Sequence, residues 1–344
     1  MARTQERSLV ELDGSYSGHL LEVKDLAVEF NTDYGDVHAV NGINYTLDPA
    51  ESLAILGESG SGKTVSALAI MGLIDRPGRV AGGEIFYKGV DLLKLSGPER
   101  RSIRGSEIAM IFQDALSALN PVFSVGDQIA EMFRVHRGLS RREAMAKALE
   151  LMERVRIPSA KERLRDYPHQ FSGGMRQRVM IAIGISLDPD ILIADEPTTA
   201  LDVTVQAQIM ELLAELQAET QMGMILITHD LGVVAEVADN VSVMYAGKLV
   251  EQGTVGDLYA RPSHPYTERL MSSLPRVDRK GHRLDPIKGS PPSLMRIPSG
   301  CPFHPRCPRA RFPVCRDEVP TLRLVAPDRL SACHFAEEVL GDAG

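Results

Sequence analysis

Three runs of this sequence combine residue types and spacings that chemistry requires. Asp195-Glu196-Pro197-Thr198-Thr199-Ala200-Leu201-Asp202 follows the strand-like Asp190-Ile191-Leu192-Ile193-Ala194. A carboxylate pair at the end of a buried strand suits magnesium, which prefers hard oxygen ligands and keeps several waters, and an attacking water beside it. Gly57-Glu58-Ser59-Gly60-Ser61-Gly62-Lys63-Thr64 fits G-x-x-x-x-G-K-[ST]. Glycines of this kind turn backbone N–H groups toward phosphate oxygens, and the helix that follows adds its positive end. Lys63 can neutralise the β and γ phosphates, the Thr64 hydroxyl can join the magnesium shell, and Val65 completes the nucleotide-binding stretch. Phe171-Ser172-Gly173-Gly174-Met175 opens a further helix. Its hydroxyl, glycine amides and helix dipole make a second anion site. Read together, the three runs imply hydrolysis of ATP. A phosphate loop alone would also suit a GTPase or a small-molecule kinase, but no Asn-Lys-x-Asp guanine-reading motif is present.

The elements that must carry these runs are legible from hydrophobic patterning. Ser52-Leu53-Ala54-Ile55-Leu56 is a compact apolar run that predicts a buried parallel strand entering the glycine-rich loop. A helix is expected over Thr64 to Leu73 and another core strand over Glu107 to Phe112. Strand and helix alternate again through Ile191–Ala194, Val203–Glu219, Met224–Thr228 and Leu231–Ala238, which implies a mostly parallel sheet covered by helices. Alternation from Leu20 to Leu47, as in Leu21-Glu22-Val23-Lys24, predicts half-exposed strands of a small antiparallel sheet. Between Asp114 and Pro168 the pattern is helical, and Ser140-Arg141-Arg142-Glu143 reads as a capping box opening a helix that runs to Val155. Beyond about Arg261 the chain turns rich in Pro, Arg and Cys.

At 344 residues the chain can hold one large α/β domain and an appendage. Its net charge of −8 argues against nucleic acid as the main partner. The polar N-terminus, Met1-Ala2-Arg3-Thr4-Gln5-Glu6-Arg7, leads into no signal-peptide core, and apolar runs such as Met224-Ile225-Leu226-Ile227 are strand-sized. A soluble, cytoplasmic protein whose membrane role runs through partners is expected. The four cysteines, Cys301, Cys307, Cys315 and Cys333, all lie near the C-terminus in the order C-x5-C-x7-C-x17-C. Without a secretory signal, disulfides are not expected, and the clustering suggests a shared ligand. Four thiolates can hold a [4Fe–4S] cluster or tetrahedral zinc. Zinc ribbons generally carry C-x2-C knuckles, and none is present here.

With these motifs in view, the chain resembles the ATP-binding subunit of an ABC transporter. Its C-terminal segments, His264-Pro265-Tyr266, Gly289-Ser290-Pro291-Pro292 and Pro298-Ser299-Gly300-Cys301-Pro302-Phe303-His304-Pro305-Arg306-Cys307, are similar to those of the oligopeptide/dipeptide importer branch. The resemblance covers roughly Leu20 to Cys333. It implies an α/β, ABC-type P-loop ATPase with a RecA-like core, an antiparallel β subdomain, a helical subdomain and a small C-terminal Cys-rich module. The expected divisions are a flexible tail over 1–19, a nucleotide-binding domain over 20–260 with its helical subdomain at about 114–170, and a C-terminal extension over 261–344.

The resemblance also assigns roles. Tyr34 takes the position of the aromatic adenine platform. Asp195 is the magnesium-side carboxylate, acting through water, and Glu196 the general base. Gln113 reaches magnesium and the water, and His229, in Ile227-Thr228-His229-Asp230, hydrogen-bonds the γ phosphate. Ser172, Gly173 and Gly174 bind the γ phosphate held by the opposite subunit of a head-to-tail dimer, and Asp202 communicates across that dimer. Phe171 and Met175 replace the commonest flanking Leu and Gln. Members of the branch carry an iron–sulfur cluster at the cysteines, which favours [4Fe–4S] over zinc. The implied partners are a paralogous ATPase subunit, two transmembrane permeases and an extracytoplasmic substrate-binding protein, with this chain on the cytoplasmic face of the membrane. Peptide is the expected cargo. Nickel, haem precursors, glutathione or oligosaccharides are alternatives within the same role, and a non-transport ABC ATPase or a cluster-gated redox sensor are alternatives outside it.

Overall fold

The computed structural model describes residues 18–199, 201–272 and 287–342. Most of the tail expected over 1–19, and Ala200, lie outside the described residues. The chain divides into two compact units: Met1–Leu21, Leu47–Glu51 and Phe86–Leu226 form one, and Glu22–Thr46, Ser52–Ile85 and Ile227–Gly344 the other.

In the first unit, strands Ile108–Ile111 and Ile191–Asp195 pair in parallel, with Ile108 opposite Ile191 and Ile111 opposite Ala194. Every residue of Ile191–Asp195 is buried, as expected of a strand covered on both faces. The register is fixed at the entry of both strands. The amides of Asp190 and Ile191 donate to the Glu107 carbonyl at 2.9 and 3.1 Å. The Tyr87 hydroxyl bonds the carboxylates of Glu107 and Asp190, and Lys88 pairs with Asp190 at 2.7 Å.

Residues 115–170 are helical and irregular. Helix Val125–Arg137 starts at Ser124, whose hydroxyl accepts from the Asp127 amide, and stops at Gly138, with φ of 62°. Helix Arg141–Arg154 opens on the Ser140/Glu143 capping box and ends at Val155, where the sequence puts it. Val125, Ile129, Ala130 and Phe133 of one helix, and Ala144, Ala148, Leu151 and Met152 of the other, are the buried faces. Helices Gly173–Gly184 and Val203–Thr220 also belong to this unit.

In the second unit, strand Ser52–Leu56, buried throughout, runs parallel to Asn240–Tyr245, with Leu53 opposite Asn240 and Leu56 opposite Val243. The antiparallel partner of Asn240–Tyr245 is Lys248–Thr254, joined to it across Ala246-Gly247. Both turn residues have positive φ, 49° and 78°, the geometry that matches the twist of a two-residue hairpin. Sequence patterning left both of these strands unread. Strands Leu21–Thr32, Gly35–Leu47 and Gly78–Tyr87 lie in a separate sheet, in the order Gly35–Leu47, Leu21–Thr32, Gly78–Tyr87.

The Pro- and Cys-rich region does not hang free of this unit. Strand Arg329–Ser331 pairs antiparallel with Lys248–Thr254, Glu251 opposite Ser331, and strand Arg323–Ala326 pairs with it in turn. Apolar packing also holds this region, at Phe303. That ring is fully buried against Tyr245 and Tyr266, with both centroids 5.3 Å away. Glu251 and Arg329 form a buried ion pair at 2.9 Å, and Glu251 also accepts from the Ser263 amide and hydroxyl and the His264 amide. Burial pushes the His264 imidazole down to about 3, so it stays neutral.

Candidate active site

In the second unit the phosphate loop leaves the end of Ser52–Leu56 and enters helix Lys63–Met71. Two of its glycines are sterically required. Gly57 has φ of 155°, and a Cβ there would lie 2.3 Å from the Met244 carbonyl oxygen. Gly62 has φ of 106°, and a Cβ there would lie 2.2 Å from the Ala39 carbonyl oxygen. Backbone atoms cannot yield at such distances, so any side chain would displace the loop. The Lys63 ammonium, only 5% exposed as a residue, donates to the carbonyls of Gly57 at 2.8 Å and Glu58 at 3.1 Å. This curls the loop around a buried positive charge. The Ser61 hydroxyl is buried without a hydrogen-bond partner, an acceptor-seeking donor inside the loop. Thr64 follows on the first turn of the helix.

His229 lies just past strand Gly223–Thr228, exposed, and the next residue, Asp230, caps helix Leu231–Val237 by accepting from the amides of Gly232 and Val233. Tyr34 lies in the turn between strands Leu21–Thr32 and Gly35–Leu47, with 90% of its surface exposed. A ring held in water at a hairpin tip offers a flat π face.

In the first unit, Asp195 is the last residue of its strand and is 2% exposed. Because Ile111 stands opposite Ala194, two further residues on each strand bring Gln113 beside Glu196. The Gln113 side-chain amide donates to Glu196 Oε2 at 2.8 Å, and the Thr199 hydroxyl donates to the same oxygen at 2.8 Å. Glu196 has φ of 45°, a left-handed conformation that a side chain adopts at a cost of roughly 1–3 kcal/mol. The turn is closed by the Thr199 amide donating to the Glu196 carbonyl. A carboxylate that is half-buried, oriented by two donors and turned off the strand axis can accept a proton from water. Thr199 was missed as part of this group, though it stands in the same run.

Ser172 caps helix Gly173–Gly184, its hydroxyl accepting from the Met175 amide at 3.3 Å, and Ser172 and Gly173 are exposed. Gly174 is shaped by packing, since a Cβ there would lie 2.5 Å from Val205 Cγ1. Asp202 caps helix Val203–Thr220 by accepting from the Val205 amide at 3.0 Å.

The four cysteines are free thiols lining one cavity of about 200 Å³, together with Phe303, His304, Arg309 and Arg311. Burial, with a smaller push from neighbouring thiols, raises Cys307 to about 12 and Cys333 to about 11, and burial likewise raises Cys301. Among the described residues, no group of three or more His, Cys, Asp or Glu side chains is placed to hold a metal ion. The four-thiolate metal centre expected from the sequence is not formed among the described residues, where the thiols share only the lining of one cavity. Among the same residues, no helix is long and apolar enough to cross a membrane.

Comparison with known proteins gives the same direction over most of the chain. The family model described as ABC transporter matches residues 40–199, and that described as oligopeptide/dipeptide transporter, C-terminal region, matches 250–315. The oligopeptide transport ATP-binding protein OppD of Salmonella typhimurium is 50% identical over 93% of this chain and 95% of its own length. The dipeptide transport ATP-binding protein DppD of Bacillus subtilis is 53% identical over 86% of this chain and 88% of its own. Among solved structures, a dimeric bacterial ABC transporter cassette is 26% identical and superposes with a TM-score of 0.62, over 68% of this chain and 98% of that one. A dimeric ATP-binding cassette in a post-hydrolysis state with ADP and phosphate is 25% identical, with a TM-score of 0.61 over the same shares.

Proposed function

From the premise that this chain belongs to the ATP-binding subunits of ABC transporters of the oligopeptide/dipeptide type, we propose how its residues serve that role. The chain is the ATP-driven, energy-coupling subunit of a peptide importer. The observation that carries the ATP-driven part of this reading is the phosphate loop, with its two obligatory glycines and the buried Lys63 ammonium at the head of helix Lys63–Met71, and the similarity to oligopeptide and dipeptide transport ATP-binding proteins supports the cargo.

Residues 57–65 take the triphosphate, and Tyr34 stacks on adenine. Thr64, Gln113 and Asp195 supply oxygen donors of the hard kind magnesium takes, few enough to leave places for water and phosphate oxygens. When bound, the metal neutralises charge on the phosphates. Glu196, oriented by Gln113 and Thr199, accepts a proton from the attacking water, and His229 bonds the γ phosphate. Ser172, Gly173 and Gly174 complete the site of a second ATPase subunit, and Asp202 relays between the two.

That second subunit is a paralogue, and the pair drives two permeases fed by a substrate-binding protein, with this chain peripheral on the cytoplasmic face. The nucleotide-binding domain spans 20–260, with its helical subdomain at about 114–170, and the extension spans 261–344.

The extension carries a [4Fe–4S] cluster at Cys301, Cys307, Cys315 and Cys333. The four thiols line one cavity, and four thiolates are the ligand set such a cluster takes.

The test is reconstitution in vesicles with the second ATPase subunit, both permeases and the substrate-binding protein. ATP-dependent uptake of a labelled oligopeptide is expected, abolished by Lys63→Ala in this chain. Full uptake by that variant would refute the assignment. Anaerobically purified protein should hold iron and acid-labile sulfide in equal amounts, whereas stoichiometric zinc would replace the cluster by a zinc centre.

A further inference from the structure

Glu58 of the phosphate loop is held at two points by the C-terminal extension. Its backbone amide donates to the Tyr266 hydroxyl at 2.9 Å. Its carboxylate receives a two-pronged ion pair from Arg306: Nη1 lies 2.6 Å from Oε2 and Nη2 3.0 Å from Oε1. The Arg306 side chain is 6% exposed and that of Glu58 25%. The guanidinium is itself fixed. Nε donates to the Lys288 carbonyl at 3.1 Å, Nη2 to the Gly289 carbonyl at 3.1 Å, and Nη1 to the Tyr245 hydroxyl at 3.3 Å. Such a planar fork, with its donors satisfied, sets both the position and the orientation of the carboxylate it grips.

Arg306 sits in the short turn that also carries two of the cavity thiols. His304 and Cys307 donate backbone bonds to the carbonyls of Cys301 and His304, at 3.0 and 3.3 Å, and the Cys301 amide is tied to the Cys315 carbonyl at 2.9 Å. Phe303, in the same turn, is seated on Tyr245 and Tyr266. The turn therefore touches the thiol-lined cavity with Cys301 and Cys307 and the phosphate loop with Arg306.

We propose that Arg306 is a positioning residue for ATP binding, which holds the phosphate loop through Glu58 and ties it to the order of the cysteine-lined turn. Two effects act in one direction. The fork keeps Glu58 where the loop's neighbouring amides face a phosphate, and it cancels a carboxylate charge that would otherwise repel the triphosphate at the same loop. This inference rests on the reading that residues 57–64 bind ATP.

Equilibrium binding of a fluorescent ATP analogue to the full-length chain tests it, with hydrogen exchange of the amides of 57–62 followed in parallel. Arg306→Ala should weaken binding on the order of tenfold, as expected when one partner of a half-buried, two-pronged charge pair is removed. Arg306→Lys, which keeps charge but not the fork, should fall between. Adding Glu58→Gln to Arg306→Ala should recover part of the lost affinity, because the unpaired charge is gone; a purely structural defect would not reverse. Exchange of 57–62 should quicken in Arg306→Ala while the 301–307 turn, anchored by Phe303, stays protected. Cys307→Ser should quicken 57–62 without adding to the effect of Arg306→Ala. Binding by Arg306→Ala within twofold of wild type, or no recovery in the double variant, overturns the positioning role. Unchanged exchange at 57–62 in Cys307→Ser overturns the tie to the turn. Wild-type protein that fails to bind the analogue would instead refute the ATP site itself.

Discussion

Replacing Glu196 by Gln isolates the proton-accepting function from everything else that side chain does. In the structure two donors to Glu196, the Gln113 amide and the Thr199 hydroxyl, converge on a single oxygen, Oε2, at 2.8 Å each. A glutamine can place its carbonyl oxygen there and accept both bonds, so the left-handed turn at position 196 and its closure by the Thr199 amide persist. The phosphate loop carries Lys63 and Thr64 independently of this change, so ATP affinity should stay within about threefold of wild type. What is lost is basicity. A positioned general base contributes about 10²- to 10⁴-fold, which corresponds to roughly 3–5 kcal/mol of barrier. Steady-state phosphate release from the assembled transporter should fall by that factor, and nucleotide should remain trapped through size-exclusion chromatography. Turnover within threefold of wild type would refute the role given to Glu196. A parallel loss of ATP binding would show that the side chain holds the fold of the site rather than accepting a proton.

Two further expectations come from other parts of the molecule. Ser172→Arg should impair hydrolysis of the nucleotide held by the partner ATPase while sparing binding to this chain's own phosphate loop, read by photocrosslinking to separately labelled subunits. Loss of ATP from its own subunit alone would reverse the head-to-tail assignment. Glu251→Gln should destabilise the chain by about 3 kcal/mol or more, because Arg329 would be left as a buried uncompensated charge and an amide N–H would face the donors of Ser263 or His264. Urea denaturation within 1 kcal/mol of wild type would contradict that reading.

The parts of this molecule legible in the sequence are those in which local chemistry and local structure coincide. The phosphate loop is one continuous run, and the steric reasons for Gly57 and Gly62 act through a pattern of fixed spacing. The capping box at Ser140 and Glu143 is another local device, and it marks a helix start to the residue. Legibility fails where a contact is made across the chain. The hairpin of Asn240–Tyr245 and Lys248–Thr254 turns on Ala246-Gly247, which lacks the Asn-Gly or Asp-Gly signal that usually betrays such a turn. The strand Arg329–Ser331 is three residues long, too short for any period to emerge, and its identity depends on Glu251 waiting 78 residues away. Gln113 could be placed beside Glu196 only once the register of two parallel strands was known.

Glu58 is the sharpest case of this limit. In the loop pattern it occupies a position open to any residue, so the motif assigns it no partner. Its carboxylate is nevertheless the point at which a guanidinium 248 residues later grips the loop. The same turn presents two thiols, Cys301 and Cys307, to the cysteine-lined cavity. A nucleotide site whose own motif is complete has thus been given a second support, and that support depends on the order of the cysteine-lined turn. If the motif were sufficient by itself, an exposed glutamate pointing into water would have served as well at position 58. The Arg306 fork, the Tyr266 hydroxyl on the loop amide and the seat of Phe303 on Tyr245 and Tyr266 together give the extension the contacts with which to set the geometry of the phosphate loop.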